Sequence, residues 1–139
     1  MPVLTYELVQ GQHDDQALKT LLTRSAALFA EVTESPVDRI RVMLDERAPT
    51  HVCVGETLIS ESGVSAPFFS FWLLKGRPIE QAHQLLEGFT ALLVEILEVD
   101  RSSIRGVVTM VEPEQWAIGG VPASVLRQKE IDARAAAQS

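Results

Sequence analysis

The sequence predicts an α+β fold in which two tandem β-α-β units form a four-stranded sheet, with both helices on one face of that sheet. The first observation is an internal repeat, because landmark residues recur at a near-constant spacing. The second is a pair of long segments with helical periodicity, and the third is a set of apolar segments that flank them. The repeated landmarks are Pro2 and Pro67 (65 residues apart), Gly11 and Gly76 (65), and Arg41 and Arg105 (64).

The first unit is predicted to contain a strand over residues 2–9, a helix over 14–32 and a strand over 40–45. Asp14 has a side chain suited to the N-cap of this helix, and Pro36 prevents the helix from continuing far beyond its last apolar residue. The helix is predicted because its apolar residues fall on one stripe, which consists of Leu18, Leu21, Leu22, Phe29 and Val32.

The second unit repeats this order, with a strand over residues 67–74, a helix over 79–97 and a strand over 104–111. Its first strand is almost continuously apolar, which is typical of a strand that is covered on both faces or lies at an interface. A helix that crosses between two strands normally connects parallel strands. We therefore expect each unit to pair its own two strands in parallel.

One face of the predicted sheet is left without helices. An exposed apolar face of that size is normally buried by self-association, so we expect a homotrimer with these faces turned inward. The two repeats, at about 2–58 and 67–126, are expected to form a single domain over residues 1–126. The C-terminal tail, residues 127–139, could extend a helix, wrap a neighbouring subunit or fray.

Composition and charge restrict the possible partners. The chain has 139 residues and a net charge of -7, which argues against a nucleic-acid-binding surface. No apolar run approaches the roughly 18 to 20 residues needed to cross a membrane. The amino-terminal segment has no pattern of a secretory signal, and a single cysteine fits a reducing compartment. We therefore expect a cytoplasmic protein with no membrane or nucleic-acid partner.

The sequence also predicts that the chain uses neither a metal nor a cofactor. Its histidines have no carboxylate or thiol at ligand spacing, and no glycine-rich phosphate-binding loop is present. Cys53 lies in no recognisable nucleophile setting and is expected to pack as a small apolar residue. The three scattered histidines are His13, His51 and His83.

Pro2 directly follows the initiator methionine. Taken alone, it is explained by the start of an edge strand, where a missing N–H is tolerated. Together with the repeat and the matching arginines, however, the layout resembles the tautomerase superfamily, and in particular two fused copies of the 4-oxalocrotonate tautomerase subunit. The residues that carry this resemblance are Pro2, the turn at Gly76-Arg77, Arg41 and Arg105 at the strand entries, and the segment 116–120 beginning with Trp116.

Over residues 2 to about 126 the chain most resembles malonate semialdehyde decarboxylase and its relatives. The segment 35–39, Ser-Pro-Val-Asp-Arg, is similar to the catalytic aspartate region of that enzyme. The resemblance therefore implies that Asp38 is a catalytic residue, which would position or polarise a water molecule or the substrate carbonyl. The alternative is that Asp38 is a loop aspartate that pairs with Arg39 or caps a turn.

The resemblance also implies a set of substrate-binding residues. Arg77 would bind the substrate carboxylate, and Lys75 stands where the decarboxylase has a second arginine. Trp116 would form a wall that excludes water, although ordinary core packing explains it equally well. Arg41 or Arg105 could reach the site from a neighbouring subunit and stabilise a developing enolate, or could form salt bridges in the sheet or between subunits.

Besides Lys75, three residues depart from the family pattern. Gln12 stands where the single-unit tautomerase has an arginine, and Val52 stands where the second unit has Trp116. Pro67 lies inside the chain, so its nitrogen is a tertiary amide that cannot act as a base. We therefore expect one working site per chain.

Three interpretations of the chemistry follow. Removal of Met1 would give Pro2 a secondary amine, and desolvation and nearby arginines would favour its neutral form as a base. The first interpretation is therefore keto–enol tautomerisation of a small 2-oxo or enol acid that carries a carboxylate. The second is cofactor-free decarboxylation or hydration, in which cationic Pro2 acts as an acid with help from Asp38. The third is a non-catalytic trimer that serves as a binding module.

Overall fold

The computed structural model describes residues 2–137, which form eight strands and four helices. Four short 3-10 turns each precede a strand, namely Val37–Arg39, Pro49–His51, Arg101–Ser103 and Pro113–Gln115. The strands are β1 (Val3–Val9), β2 (Arg41–Arg47), β3 (Cys53–Val54), β4 (Thr57–Leu58), β5 (Phe68–Leu74), β6 (Arg105–Val111), β7 (Ala117–Ile118) and β8 (Val121–Pro122). The helices are α1 (Asp15–Thr33), α2 (Ile59–Ser62), α3 (Ile79–Leu97) and α4 (Ala123–Ala137).

The four long strands form one mixed sheet in the order β2-β1-β5-β6. Each unit pairs its own strands in parallel, with Val3 opposite Arg41 and Phe68 opposite Arg105. The two units join through an antiparallel β1–β5 pair, so the halves are related by a pseudo-two-fold axis. The predicted fold class and the parallel pairing within each unit are therefore confirmed.

The two long helices have the same length and end in the same way. Each has 19 residues, and each is followed by a glutamate in the left-handed conformation, Glu34 (φ 53°) and Glu98 (φ 55°). Asp14 caps α1 by accepting a hydrogen bond from the Ala17 amide at 2.7 Å. The sequence placed the first helix one residue early and the second at its observed bounds, and the two helices pack against each other on the sheet.

The core between helices and sheet is an aromatic cluster whose rings meet mostly edge to face. Tyr6 is its polar member, and its hydroxyl lies 2.7 Å from Ser25 Oγ, which is also fully buried. This hydrogen bond satisfies both hydroxyl groups inside an otherwise apolar core. The buried aromatic residues are Tyr6, Phe29, Phe69, Phe71 and Phe89.

The opposite face of the sheet carries no helix, as the sequence predicts. Met43, Trp72 and Val107 lie on three of its strands and are each more than two-fifths exposed. Side chains of β1 alternate between buried and partly buried positions, which is the pattern of a sheet covered on one face. This exposed surface is called the open face below.

The C-terminal region is helical where the sequence left three possibilities open. Helix α4 begins at Ala123 and therefore crosses the predicted boundary between the domain (1–126) and the tail (127–139). The predicted division into domain and tail stays a prediction, and residues 138–139 lie outside the described residues. Between 2 and 137, no helix is long and apolar enough to cross a membrane, and no group of metal-ligating side chains occurs.

Candidate active site

Pro2 is buried at the amino-terminal end of β1. Its carbonyl oxygen accepts a hydrogen bond from the Arg41 amide at 3.1 Å, so the proline is tied to the neighbouring parallel strand. The same bond recurs in the second half, where the Arg105 amide donates to Pro67 at 3.1 Å. Met1, whose removal the chemistry requires, lies outside the described residues.

A cavity of about 140 Å³ opens beside Pro2. Both halves of the chain contribute to it, because the first half supplies Pro2 and the turn after α1, and the second half supplies the rest. Three of its lining residues are arginines, and none of those that the structure describes is acidic. The lining residues are Pro2, Ser35, Arg39, Leu74, Arg77, Ile118, Ala123, Leu126 and Arg127.

Arg77 is partly buried in this cavity and is held by three hydrogen bonds. Its Nη1 donates to the Thr33 carbonyl at 2.9 Å and to Gln81 Oε1 at 3.3 Å, and its Nη2 donates to Ser35 Oγ at 3.5 Å. Burial lowers the pKa of Arg77 from its usual value, the positive charge of Arg127 lowers it further, and Glu34 opposes the shift. Arg77 is therefore a fixed cation in a cation-rich environment.

Arg39 and Arg127 are two lining residues that the sequence analysis did not single out. Arg39 lies in the 3-10 turn Val37–Arg39, and Arg127 lies in the second turn of α4. Arg39 directly follows Asp38 in the segment that resembles the catalytic aspartate region, so this resemblance could also have identified Arg39 as a site residue. Arg127 is far from Pro2 in the sequence, and no pattern links the two residues.

A larger cavity of about 700 Å³ adjoins the first and shares Arg39, Ile118 and Leu126 with it. Three predicted site residues lie here, namely Asp38, Arg41 and Trp116. The centroid of the Trp116 ring also lies 6.5 Å from the centroid of the Trp72 ring on the open face. Trp116 therefore forms part of a cavity wall beside that face. The remaining lining residues are Val3, Ala117, Gly119, Lys129 and Ala133.

Lys75 and Arg105 lie apart from the residues that line these two cavities in the described part of the chain. The ammonium of Lys75 pairs with Glu112 Oε1 at 2.7 Å. The Arg105 Nη1 donates to the carbonyl oxygens of Ser102 at 2.7 Å and Ile104 at 3.0 Å, both next to its own strand entry. Within one chain, the predicted cations thus fall into three groups: Arg77 beside Pro2, Arg41 in the adjoining cavity, and Lys75 and Arg105 elsewhere.

Comparisons with known proteins show which family this chain resembles. Residues 67–125 match the family model described as "Tautomerase enzyme". The chain is also 35% identical over 60 residues to 2-hydroxymuconate tautomerase from Comamonas testosteroni, a match that covers 95% of that relative and 43% of this chain. The chain belongs to the tautomerase family. It is therefore a tautomerase-type enzyme and not the non-catalytic binding module that the sequence left as a third interpretation.

Solved structures of tautomerase-family proteins share the fold over nearly the whole chain. A native fused 4-OT is 25% identical, with a TM-score of 0.82, and the match covers 90% of this chain and 98% of that one. A fused 4-OT described as an asymmetric trimer is 23% identical, with a TM-score of 0.80 and coverage of 89% and 98%. The two-unit tautomerase layout is therefore confirmed, whereas the closer resemblance to malonate semialdehyde decarboxylase stays a prediction.

Proposed function

We propose that this chain catalyses keto–enol tautomerisation of a small 2-oxo or enol acid that carries a carboxylate, with Pro2 as the proton shuttle. The observation that carries the proposal is that Pro2 and the cation Arg77 line one cavity of about 140 Å³. That volume suits a small acid, and the name of the curated relative, a 2-hydroxymuconate tautomerase, belongs to the same reaction class. No cofactor is needed for this chemistry.

The proton transfer depends on a free amine at Pro2. Once Met1 is removed, the proline nitrogen is a secondary amine in a buried position beside three guanidinium groups. Burial and neighbouring positive charges both disfavour a protonated amine, so the neutral form is available as a base. Pro2 takes the proton from the enol hydroxyl and returns a proton to the carbon that becomes sp³, which leaves the enzyme unchanged after one turnover.

The other predicted residues have supporting roles in this proposal. Arg77 binds and orients the substrate carboxylate, and Trp116 shields the adjoining cavity from water. The exposed apolar residues of the open face support a homotrimer, as does the likeness to a fused 4-OT described as a trimer. In a trimer, Arg41 or Arg105 of a neighbouring subunit would stabilise the developing enolate, and Lys75 would add positive charge near the site.

A decarboxylase or hydratase activity is the second candidate, and the position of Asp38 favours it. Asp38 lines the larger cavity, which adjoins the Pro2 cavity along Arg39. In this reaction a protonated Pro2 would act as the acid, and Asp38 would position water or polarise the substrate carbonyl. An Asp38→Asn variant separates the two candidates, because it would abolish decarboxylation of malonate semialdehyde and leave ketonisation of 2-hydroxymuconate nearly intact.

The decisive test compares the two prolines that open the two units. We expect Pro2→Ala to lower kcat/KM for ketonisation of 2-hydroxymuconate or phenylenolpyruvate by about 10²- to 10⁴-fold, the usual contribution of a general base. Pro67→Ala is the matched control and should retain activity, because its nitrogen is an amide in either case. Mass spectrometry of the purified protein checks the removal of Met1. Retention of Met1, or equal activity in Pro2→Ala, would disprove proline catalysis.

A further inference from the structure

We infer that Arg39 and Arg127 bind a substrate carboxylate directly beside Pro2, which makes helix α4 part of the active site. The inference rests on the proposed function, because it assigns new residues to the same cavity. It differs from the family resemblance, which implied Arg77, Lys75, Arg41 and Arg105 as the cations of the site. Three features of the molecule support the inference, namely the composition of the cavity, the partners of its arginines and the difference between the two halves.

The cavity beside Pro2 concentrates positive charge in a strongly acidic chain. It carries three arginines and no acidic side chain among its described lining residues, whereas the whole chain has a net charge of -7. Arginines in proteins are normally paired with acids or carbonyl oxygens, as Arg24 is with Glu95 on the helix surface. Three guanidinium groups around one small cavity thus create a site that favours an anion.

The three arginines differ in how far their donors are already used. Arg77 donates to a backbone carbonyl, a side-chain amide and a hydroxyl, so much of its hydrogen-bonding capacity holds the arginine in place. Arg39 and Arg127 make no side-chain hydrogen bond or ion pair with the residues whose side chains are described. Their planar donor groups are therefore free to bind a carboxylate in a two-pronged geometry.

The second half of the chain shows that the fold does not require Arg39. At the repeat spacing, Arg39 corresponds to Ser103, and the backbone around both positions is preserved. Arg127 has no such equivalent, because the corresponding Gly63 ends the four-residue helix α2 in the left-handed conformation, whereas α4 continues from Ala123 to Ala137. The 3-10 turns Val37–Arg39 and Arg101–Ser103 even repeat the same closing hydrogen bond. The turn therefore forms without the Arg39 guanidinium group, and ligand binding explains why that charge occurs only in the turn beside Pro2.

The test measures binding separately from turnover. The variants are Arg39→Gln and Arg127→Gln, with Arg127→Lys as a conservative variant and Arg24→Gln as a matched control that removes a surface arginine. Three quantities are measured for each variant. Steady-state kinetics with 2-hydroxymuconate gives KM and kcat, and titration calorimetry gives the Kd of cis,cis-muconate, a dicarboxylate that lacks the enol group. Melting temperatures confirm that each variant is folded.

We expect each Gln variant to raise KM and the muconate Kd about 10- to 100-fold, which is the effect of losing a charge-assisted hydrogen bond. In contrast, kcat should change less than about threefold, because neither arginine transfers a proton. Arg127→Lys should recover part of the binding, and Arg24→Gln should match the wild-type chain. A folded Arg39→Gln/Arg127→Gln double variant with wild-type Kd would overturn the inference.

The same measurements distinguish this inference from the proposed function. If the wild-type chain binds muconate in an Arg127-dependent manner but converts no enol acid, the carboxylate site stands and the proposed reaction is wrong. If the chain converts enol acids and both Gln variants keep the wild-type KM, the reaction stands and the assignment of Arg39 and Arg127 is wrong. Absence of muconate binding to the wild-type chain also counts against the carboxylate site.

Discussion

The two halves of the chain have nearly the same backbone but different side chains around their opening prolines. Backbone hydrogen bonds at the ends of the strands recur in both halves. The Gln10 amide donates to the Arg47 carbonyl oxygen at 2.9 Å, and the equivalent Lys75 amide donates to the Val111 carbonyl oxygen at 2.8 Å. The arginines that line the Pro2 cavity do not recur. The residues that correspond to Arg39, Arg77 and Arg127 are Ser103, Gln12 and Gly63.

Gln12, the equivalent of Arg77 in the first half, has a different role. Its Nε2 donates to the carbonyl oxygen of Val64 at 2.9 Å, so the side chain fastens the segment that links the two halves. The equivalent Arg77 instead faces the Pro2 cavity. One position of the repeat thus stabilises the connection between the halves, whereas its equivalent supplies a cation. The comparison teaches that the repeated backbone supplies two similar locations, and that side chains at a few equivalent positions make only one of them suited to an anion.

The core also differs between the halves, through compensating pairs of residues. Leu4 lies opposite Val42 in the first half, whereas Phe69 lies opposite Gly106 in the second. A larger side chain on the inner strand is thus matched by a smaller one on the outer strand. A second contrast is the hydrogen-bonded pair Tyr6 and Ser25, whose equivalents are the apolar residues Phe71 and Phe89.

The largest expected effect comes from exchanging the polar residues at the two equivalent turns. Arg77→Gln, which gives both turns the same polar residue, should lower kcat/KM about 100-fold, because a charge-assisted contact to the substrate carboxylate is lost. Gln12→Arg should give no second activity, because Pro67 has no free amine. Steady-state kinetics with 2-hydroxymuconate provides the measurement. Wild-type kinetics in a folded Arg77→Gln chain would remove this arginine from the site.

A smaller effect is expected when the outer-strand residues of the two halves are made alike. In Gly106→Val, the new Cβ would overlap with Cζ of Phe69, so the ring or the strand must move. We expect a loss of about 2 to 3 kcal/mol in the free energy of unfolding, measured by urea denaturation. Adding Phe69→Leu, which restores the first-half combination, should recover part of the loss. Equal stabilities of the single and double variants would show that the pairs do not compensate.

The smallest expected effect concerns the buried hydroxyl pair of the first half. Tyr6→Phe leaves the hydroxyl of Ser25 buried without its partner, which should cost about 1 to 2 kcal/mol of unfolding free energy. Tyr6→Phe/Ser25→Ala should lose less than the sum of the two single changes, because both partners are removed together. An additive double variant would show that the hydrogen bond contributes nothing.

This pair also predicts a pH dependence, because burial raises the pKa of Tyr6 above its ordinary value of about 10, with the Ser25 hydrogen bond as a smaller opposing effect. Above about pH 10, the unfolded chain releases the phenol proton and the folded chain keeps it, so stability falls as the pH rises. Tyr6→Phe lacks this loss. The stability difference between the two chains should therefore shrink by about 1.4 kcal/mol per pH unit above pH 10.

The repeat made most of the fold predictable from the sequence. Spacings of 64 and 65 residues, with helical periodicity, located the four long strands and both long helices within a few residues. The short hairpins β3–β4 and β7–β8 were not predicted, because ladders of two residues leave almost no periodic signal. The fold class is confirmed, and the homotrimer stays a proposal.

The candidate site was less predictable than the fold. Pro2 and Arg77 could be named because they match the pattern of the tautomerase family, and they line the same cavity. Arg127 could not be named, because α4 brings it beside Arg77 only in three dimensions. Lys75, in contrast, was named from the sequence but lies outside the cavity. Its ammonium group, two residues before Arg77 in the chain, pairs with Glu112.

The hydrogen bond between the Arg41 amide and the Pro2 carbonyl has a consequence for the entropy of catalysis. A chain terminus normally samples many conformations, and ordering it during substrate binding would cost about 1 to 2 kcal/mol per residue. Here the pyrrolidine ring restricts one backbone dihedral, and the parallel ladder immobilises the carbonyl group. The direction of the proline nitrogen is therefore set when the sheet folds, and in the proposed reaction substrate binding would need little further ordering of Pro2.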